Sequence, residues 1–470
     1  MKNALLCLLL AALAALLVLH FREAPVPPVP PVPAVSELGQ ILQHAREDPG
    51  LCGAAIGFCL LDAQGQVIEE LKSETAFIPA STLKTLTTAT ALEKWGPDFR
   101  LETVLCSTAP VQNGSLTGDV IIRGAGDPML ALSDLEAWAQ TLLEKGVKRI
   151  QGRIIGDGSL FPGSLYDDFW NWGDIGNGYG SGVAGLNLEH NRTRVRFRAG
   201  LEAGAKATFL GASLEVPGVQ WVNEVTTGAA DSGDGVVIHG GERTATLHLR
   251  GTVPLGAGDF EVTAAVPDPE LYAAHHLRAV LVNAGIPVDG AAVTASQLRA
   301  AAEPVPEAQE ILIRHASPSL QEIIASIHAT SDNHETECLY RLLGIREGRP
   351  SDEVLRAYWL QRGLVFEGLR MEDGCGLARA DFIRPLDLAR LQHVVGKGPQ
   401  GDVYRQSLLG TSDGSVRWKG GAMSGVRSYT GFVKGASGAE FSFALMVNHF
   451  SDSQAVARLR EALLAALKAR

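Results

Sequence analysis

The sequence is poor in several features that identify particular classes of protein. Aromatic residues make up only 6% of its 470 positions, and 52 Asp and Glu residues outnumber 41 Lys and Arg, which gives a net charge of −11. No run of Lys or Arg follows the first residues, so the basic face that binds phosphate backbones is missing and a nucleic-acid partner is disfavoured. The six cysteines include no Cys-x-x-Cys pair, which argues against a zinc ribbon or a thioredoxin-type site. The remaining composition, 46% hydrophobic, is typical of a globular protein with two or three domains.

The N-terminus has the features of an export signal. Lys2 precedes an uninterrupted apolar run, residues 4–19, which is shorter than the ~20 residues of a usual membrane span. No small-x-small cleavage site follows directly, so residues 1–23 are predicted to be a signal peptide or an uncleaved signal-anchor that tethers the protein to a membrane. Residues 24–35 are rich in proline and predict an extended linker, with a ligand for a proline-binding module as the alternative. These features predict a location in the periplasm or at the outer face of the cytoplasmic membrane.

The hydrophobic pattern divides the rest of the chain into three segments. Residues 36–99 read as a helix, a strand pair and a second helix, and residues 288–470 read mainly as helices until two strands and a final helix. Residues 100–287 are rich in glycine and in short β-like runs. The pattern therefore predicts an α/β (α+β) domain assembled from 36–99 and 288–470, split by a large, mostly β insertion at 100–287.

Several elements can be placed individually. Strands are predicted in the insertion at 194–197, 213–216, 236–239, 246–249 and 260–264. The strands predicted outside it are 54–62, 67–71, 427–433 and 440–447. Helices are predicted at 38–45, 81–95, 132–145, 269–284, 319–329, 334–343 and 453–468, with the region from 312 onwards mainly helical.

Three short motifs could carry chemistry. In Ser81-Thr82-Leu83-Lys84 the two polar ends lie three residues apart, so on a helix Lys84 can reach the Ser81 hydroxyl. Ser331-Asp332-Asn333 lies between two predicted helices, and Lys419-Gly420-Gly421 comes just before a predicted strand. Each motif alone can be a helix cap, a turn or a basic residue in a glycine turn. Their order, Ser-x-x-Lys, Ser-x-Asn and Lys-x-Gly, is instead typical of a serine acyl-enzyme site.

With these motifs the chain, from about Leu38 to its C-terminus, resembles the low-molecular-mass class C penicillin-binding proteins, the D-alanyl-D-alanine carboxypeptidase/endopeptidase family. The 250 residues between Ser81 and Ser331 also fit that family, which carries extra domains there. The segments that carry the resemblance are Ile78-Pro79-Ala80-Ser81-Thr82-Leu83-Lys84, Arg123-Gly124-Ala125-Gly126-Asp127-Pro128, Asn187-Leu188-Glu189-His190-Asn191, Ser331-Asp332-Asn333, Asp373-Gly374-Cys375-Gly376-Leu377 and Ser424-Gly425-Val426-Arg427-Ser428-Tyr429-Thr430-Gly431.

The resemblance implies a serine β-lactamase/penicillin-binding transpeptidase-like fold, an antiparallel sheet with helices. It implies a D-Ala-D-Ala carboxypeptidase or DD-endopeptidase that needs no cofactor, acts on peptidoglycan stem peptides and is acylated by β-lactams. Two alternatives remain open: a β-lactamase or esterase on the same fold, and a catalytically weak wall-binding protein.

Chemistry and resemblance together assign roles to the nucleophile and its base. Ser81 attacks the substrate carbonyl and forms an acyl-enzyme. Lys84 must be neutral to accept the Ser81 proton, although a free lysine has a pKa of ~10.4. A second ammonium from Lys419, ~4 Å away, would repel the first by ~4 kcal/mol, enough to lower the pKa of Lys84 by ~3 units.

The resemblance also implies the groups that surround the nucleophile. Ser331 relays protons towards the leaving amine, and Asn333 holds the substrate's peptide amide. The strand that carries Gly420, Gly421 and Ala422 lines the substrate. The backbone N–H groups of Ser81 and Ala422 form the oxyanion hole.

Some residues depart from the family pattern or have two readings. Gly420 stands where the family usually has Thr or Ser, whose hydroxyl helps to bind the substrate's terminal carboxylate. Arg427 could bind that carboxylate instead or be a surface arginine. Asp157 lies in a segment that, in relatives, helps to recognise the amino end of a stem-peptide side chain, with a turn aspartate as the slightly favoured alternative. Cys375 replaces an expected Ser, with packing as the favoured reason.

Other motifs do not complete a known site. His334-Glu335-Thr336-Glu337-Cys338 lacks the second histidine of the metalloprotease His-Glu-x-x-His pattern, so no metal site is predicted there. His275 and His276 are adjacent and point in different directions on a helix. Outside the N-terminal segment five cysteines remain, an odd number, so at least one thiol is unpaired within the chain.

Overall fold

The computed structural model describes residues 4, 7–13 and 36–470. The predicted signal segment, 1–23, lies largely outside these residues, and the proline-rich linker, 24–35, lies wholly outside them. Within the described residues, no helix is both long enough and apolar enough to cross a membrane.

Helices and strands alternate irregularly along residues 36–470. The α-helices of this part are α1 (Glu37–Glu47), α2 (Lys84–Trp95), α3 (Leu132–Glu144), α4 (Pro269–Asn283), α5 (Ala295–Ala300), α6 (Leu320–Thr330), α7 (Asn333–Glu347), α8 (Ser351–Leu360), α9 (Pro385–Lys397), α10 (Gly401–Ser407) and α11 (Ser453–Ala469). The strands are β1 (Ala55–Leu61), β2 (Val67–Leu71), β3 (Glu102–Ser107), β4 (Val111–Gln112), β5 (Ser115–Leu116), β6 (Val120–Arg123), β7 (Arg149–Ile150), β8 (Ile154–Asp157), β9 (Arg192–Arg198), β10 (Thr208–Ala212), β11 (Gln220–Asn223), β12 (Thr226–Gly228), β13 (Val237–His239), β14 (Thr246–Arg250), β15 (Thr252–Pro254), β16 (Asp259–Ala265), β17 (Ala292–Thr294), β18 (Glu310–Ala316), β19 (Leu409–Gly410), β20 (Val416–Met423), β21 (Val426–Lys434) and β22 (Glu440–Asn448).

The largest sheet joins the two ends of the described chain. Its strand order is β19-β20-β21-β22-β1-β2, and every neighbouring pair is antiparallel. Strand β1 therefore lies beside β22, the last strand of the described residues. The predicted antiparallel sheet built from both termini is confirmed.

Alternating residues of the central strands bury both faces of this sheet. In β22, Phe443 and Leu445 face one side, where they share a core with α1 and α11. Ala444 and Met446 face the other side and share a core with α2, α6 and α9. Because successive side chains of a strand point to opposite faces, one nearly continuous apolar strand stabilises two helical layers.

The inserted residues form their own sheets, and the largest of these extends beyond the predicted boundary. Its order is β17-β8-β6-β3-β18. Strand β17 pairs with β8, and β18 pairs with β3, so residues 292–316 complete the inserted sheet although the prediction placed 288–470 in the other domain. We accordingly propose that the insertion ends near Ala316, where the chain returns to α6.

Two local predictions were wrong. Residues 213–216 are not a strand, because the Ser213 and Thr193 hydroxyls bond to backbone groups where the ladder of β10 ends. Residues 310–316 form a strand in a region predicted to be mainly helical from residue 312. Lys419 lies within strand β20, as predicted for a Lys-x-Gly motif on a C-terminal strand, and not in the alternative glycine turn.

Candidate active site

Ser81 lies in a tight turn that leads into α2. Residues Ala80–Leu83 form a single 3-10 turn, rather than the regular start of the helix predicted at Ser81. Ala80 adopts a left-handed conformation (φ 47°), and its carbonyl oxygen lies only 2.0 Å from where a Cβ on Gly376 would be. The Ser428 hydroxyl donates to the Pro79 carbonyl and fixes the other side of the turn. The Ser81 side chain is thus presented, half-buried, by backbone that neighbouring segments hold in place.

Lys84 is fully buried directly behind the Ser81 hydroxyl. Its Nζ lies 3.0 Å from Ser81 Oγ, 2.5 Å from Asn333 Oδ1 and 2.7 Å from the Cys375 carbonyl oxygen. A neutral amine has two N–H groups for the two carbonyl oxygens and one lone pair for the serine proton. Burial lowers the pKa of Lys84, which favours this neutral form. Burial, rather than the predicted repulsion by Lys419, is the cause of the lowered pKa.

Lys419 and Ser331 form a second pair at the site. Lys419 Nζ donates to Ser331 Oγ at 2.8 Å and to the Gly420 carbonyl at 2.8 Å. Ser331 can point there because it ends α6 in a left-handed conformation (φ 61°). Burial, together with the positive charge of Lys84, lowers the pKa of Lys419 to about 7. The structure thus brings the two lysines and two serines of the predicted motifs together.

Asn333 connects the catalytic turn to the inserted region. Asp332 caps the N-terminus of α7, which leaves Asn333 as the first residue of that helix. The Asn333 amide Nδ2 donates to the Tyr179 carbonyl at 2.8 Å, while its Oδ1 accepts from Lys84. Arg192 forms a bidentate pair with Asp332, with distances of 2.7 and 3.2 Å. The inserted residues therefore hold the Ser331-Asp332-Asn333 turn from outside.

Strand β20 passes directly over the nucleophile turn. A Cβ on Gly421 would lie 2.8 Å from the Ser81 nitrogen and 2.8 Å from the Pro79 oxygen, so only glycine fits there. A Cβ on Gly420 would meet nothing closer than the Tyr429 ring at 3.7 Å. Ala422 is exposed, one residue further along the strand. The two adjacent glycines therefore face very different surroundings.

This contrast gives a matched pair of substitutions. Gly421→Ala is expected to displace the Ser81 backbone and lower the rate of acylation by a penicillin by at least ~100-fold, the usual cost of a lost oxyanion donor. Gly420→Ala has room for its methyl group and is expected to keep the rate within a few-fold of the natural protein. Stopped-flow or gel-based labelling with a fluorescent penicillin measures both. Equal rates for the two variants would contradict this reading of the site.

Two residues that were predicted to bind substrate, Arg427 and Asp157, are bonded to neighbouring residues. Arg427 lies opposite Ala422 in the β20–β21 pair, but its guanidinium donates to the Met423 and Val426 carbonyls of its own hairpin, both at 2.9 Å. Asp157 is buried at the end of β8, where it accepts from Ser159 and pairs with Arg123. None of the Asp157 contacts is with a residue of the Ser81 site. Binding roles for Arg427 and Asp157 remain predictions.

Asp373 supports the base, a role that was not predicted from the sequence. Its carboxylate is fully buried and accepts four backbone N–H bonds, from residues 375–378, and a fifth bond from Trp170 Nε1. This turn aims the Cys375 carbonyl at Lys84. The Cys375 side chain is buried and its thiol is free, in accord with packing as its function. The sequence did contain a signal for this turn, because Asp373 is followed by Gly374 and Gly376. An aspartate in such a glycine-rich turn often accepts hydrogen bonds from the backbone that follows it.

A loop of the inserted region forms the outer edge of the site and was also missed. Its Tyr179 and Trp172 side chains are 51% and 65% exposed, although aromatic residues are scarce in this chain. The Tyr179 hydroxyl donates to Asp174 at 3.0 Å, and the Tyr179 carbonyl is the acceptor for Asn333. The concentration of aromatic and acidic residues between 166 and 179 was the visible signal.

A serine on a tight turn, a buried lysine behind it and an antiparallel sheet at its side define a serine hydrolase of the penicillin-binding class. The chain belongs to the D-Ala-D-Ala carboxypeptidase 3 (S13) family, whose family model matches residues 38–470. Its members are serine-type D-Ala-D-Ala carboxypeptidases, and this enzyme class, which the sequence predicted, is confirmed.

Individual relatives agree with this membership. The chain is 28% identical over 460 residues to a D-alanyl-D-alanine carboxypeptidase of Actinomadura sp. (strain R39), covering 88% of this chain and 82% of the relative. It is 25% identical over 441 residues to D-alanyl-D-alanine carboxypeptidase DacB of Haemophilus influenzae, covering 88% and 89%. The fold is similar to that of penicillin-binding protein 4 from H. influenzae, with a TM-score of 0.79 at 21% identity over 91% of this chain and 99% of that one. A crystal structure of that protein complexed with a novel β-lactam gives a TM-score of 0.74 at 20% identity, over 92% and 99%.

Proposed function

We propose that this protein hydrolyses D-Ala-containing peptide bonds of peptidoglycan through an acyl-enzyme on Ser81, and that β-lactams acylate the same residue. The observation that carries the proposal is the fully buried Lys84 Nζ, 3.0 Å from Ser81 Oγ. Burial lowers the pKa of Lys84, which favours the neutral amine that can take the serine proton. The β-lactam bound to the H. influenzae relative supports the second half of the proposal.

The reaction begins with attack of Ser81 Oγ on the carbonyl of the penultimate D-alanine, as its proton moves to Lys84. The backbone N–H groups of Ser81 and Ala422 stabilise the resulting oxyanion. The leaving amine receives a proton from Lys419 through Ser331, whose Oγ is bonded to Lys419. The proton on Lys84 then replaces it on Lys419, so that Lys84 is neutral again. Water then hydrolyses the acyl-enzyme, with Lys84 again as the base.

The position of the aromatic loop supports a role in binding the rest of the stem peptide. Asp174 and Tyr179 lie on the far side of Asn333 from Lys84, and their carboxylate and hydroxyl are bonded to each other. A carboxylate at this edge suits an amino group on the peptide side chain. Asp174 is therefore a better candidate for that contact than Asp157, whose carboxylate is engaged inside the inserted sheet.

The substrate also bears on location and partners. Peptidoglycan lies outside the cytoplasmic membrane, and the apolar N-terminal run of the sequence suits export to that side. We propose periplasmic action on the wall, with residues 1–23 as a signal peptide or membrane tether. Purified protein retained by membranes only when residues 1–23 are present would support the tether, and equal solubility of both forms would refute it.

Muropeptides provide the direct test of the activity. Monomeric pentapeptides and D-Ala cross-linked dimers are incubated with the full chain, and released D-alanine and monomers are quantified by chromatography. Release from either substrate supports the proposal and gives the balance of carboxypeptidase to endopeptidase. A protein that binds wall fragments without releasing either product would be a binding protein. Rapid turnover of a β-lactam without muropeptide cleavage would instead identify a β-lactamase.

The pH dependence of acylation follows from the two lysines. The rate is expected to rise with pH as Lys84 loses its proton, since only the neutral amine accepts the serine proton. It is expected to fall again above about pH 7, where Lys419, with a pKa of about 7, loses the proton that it supplies through Ser331. A bell-shaped profile of labelling rate against pH checks this expectation. Lys84→Arg keeps a positive charge that no accessible pH removes, so its low rate should not recover at high pH.

The missing hydroxyl at Gly420 can be restored. Gly420→Thr has room for its Cβ beside the Tyr429 ring and adds a donor for the substrate's terminal carboxylate. We expect the KM for a D-Ala-D-Ala peptide to fall several-fold with little change in kcat. If Arg427 binds the same carboxylate, Arg427→Ala should raise KM in the natural protein and raise it less in the Gly420→Thr background. A KM that neither substitution changes would place the carboxylate elsewhere.

A further inference from the structure

A group of metal-ligating side chains, two of them buried and one half-buried, lies behind the catalytic turn, and none of the proposed reaction steps uses it. It comprises His190 from the inserted region and Asp332 and His334 from the start of α7, each of which offers one ligand atom within 4.8 Å of the others. The sequence predicted no metal at His334, because its own helix supplies no second histidine. The structure supplies one from a segment 144 residues earlier in the chain.

Each of the two histidines has a buried ring nitrogen without a hydrogen-bond partner, and such a nitrogen can bind a metal ion. His334 is fully buried, and its Nδ1 has no hydrogen-bond partner. Its Nε2 lies 3.1 Å from Asn191 Nδ2 and 3.2 Å from Asn187 Oδ1. The two hydrogens of that Asn191 amide are taken up by the Gly182 carbonyl and Asn187 Oδ1, so the His334 ring can donate through Nε2 to Asn187 and keep the Nδ1 lone pair free. That arrangement is usual for a histidine that binds a metal through its other nitrogen. The Nδ1 of His190 is likewise buried without a hydrogen-bond partner.

The distances fit a small tetrahedral ion. His190 Nδ1 lies 3.6 Å from Asp332 Oδ2 and 3.6 Å from Glu335 Oε1. Ligands on Zn²⁺ at 2.0–2.2 Å in tetrahedral geometry lie about 3.4 Å apart. Glu335 is nearly fully buried, and its Oε2 has no hydrogen-bond partner, so this carboxylate can complete the set.

A neighbouring positive charge lowers the affinity of this group for a cation but does not disturb the positions of the ligand atoms. Arg192 donates to Asp332 Oδ2 at 2.7 Å, which leaves that oxygen a second lone pair but places a positive charge close to the ion. We infer that His190, Asp332 and His334, with Glu335 as the fourth donor, form a Zn²⁺ site that ties the inserted region to the Ser331-Asp332-Asn333 turn. The ion would hold the left-handed segment 189–191 (φ 51°, 54° and 55°) against α7.

Metal titration of the full chain tests the site. Tag-free protein is treated with a chelator, dialysed, and titrated with Zn²⁺ against a chromophoric competitor, then separately with Co²⁺. One equivalent per chain is expected, with the visible absorption of tetrahedral Co²⁺ and an upward shift of the melting temperature on Zn²⁺ addition. No binding up to about 100 μM free Zn²⁺, a Kd weaker than ~10⁻⁴ M, would overturn the inference.

Three variants locate the ion. His190→Gln, whose side chain is 30% exposed and so tolerates change, should weaken Zn²⁺ binding at least tenfold and abolish the Co²⁺ spectrum while near-UV circular dichroism stays unchanged. His334→Gln should do the same, and if it does not fold the result for His190→Gln stands alone. His248 is the matched control, because its Nδ1 is also unbonded and lies 3.7 Å from a single carboxylate, Glu224. Retention of binding in His190→Gln, or its loss in His248→Gln, would refute the site.

Discussion

Ser81→Ala is expected to abolish covalent labelling by a fluorescent penicillin and to lower kcat/KM on D-Ala-D-Ala peptides by at least ~10⁴-fold. The reason is that the 3-10 turn presents only this hydroxyl to Lys84 Nζ, at 3.0 Å. Denaturing gel electrophoresis after incubation with the labelled drug measures acylation, and D-alanine release measures turnover. The fold should be unaffected, because the Ser81 hydroxyl supports no other element.

Ser437→Ala provides the matched control for this experiment. Ser437 is exposed in the turn between β21 and β22 and has no contact with the site, so its removal should change neither labelling nor turnover. A labelled band that persists in Ser81→Ala would mean that another residue is acylated. A band absent from the natural protein as well would favour the wall-binding alternative.

Asp373→Asn is expected to lower the free energy of unfolding by about 3–5 kcal/mol, because charge-assisted bonds to a buried carboxylate are lost. Whichever way the new amide is turned, its NH₂ group faces two or three N–H donors that Asp373 accepts in the natural protein. The rate of acylation should fall as well, since the Cys375 carbonyl that holds Lys84 belongs to the same turn. Urea denaturation at pH 7 followed by circular dichroism measures the first effect.

Asp381 provides a neighbouring carboxyl with the opposite expectation. Burial, with the negative charge of Asp373, raises the pKa of Asp381 to about 10. The folded protein therefore keeps a proton there that the unfolded chain releases near pH 4. The stability that this group contributes accordingly decreases as the pH rises from about 4 to about 10. Asp381→Asn imitates the protonated group and removes the titration, so its stability at pH 7 should be equal or higher. A loss comparable to that of Asp373→Asn would contradict the assigned protonation.

The sequence was sufficient for those parts of the site that depend on local spacing. Ser81 and Lys84 are one helical turn apart, so their contact follows from the chain itself. The join between Ser331 and Lys419 followed from the family resemblance, which supplied the order of the motifs. The antiparallel sheet could be predicted because its strands are apolar and clearly bounded.

Contacts between distant segments could not be predicted. No pattern in the sequence indicates that the Cys375 carbonyl meets Lys84, or that the Tyr179 carbonyl meets Asn333, since backbone acceptors carry no residue signature. Our proposal to move the end of the insertion to near Ala316 has a related reason. Strand β18 is short of distinctive turn signals, and its place beside β3 depends on pairing across about 200 residues. A single sequence does not contain that register.

The pairing of β1 with β22 also has a consequence for how the enzyme matures. Strand β1 finds its central partner only when β22, residues 440–448, has been synthesised. Contacts across so long a stretch make the search for the native topology slow, and a chain that is still incomplete exposes unpaired strand edges. Ser81 and Lys84 are therefore made more than 300 residues before strand β20, which closes the site. A nascent chain, or one truncated before β20, should be unable to react with penicillin. The enzyme should therefore be inactive until its folding is complete.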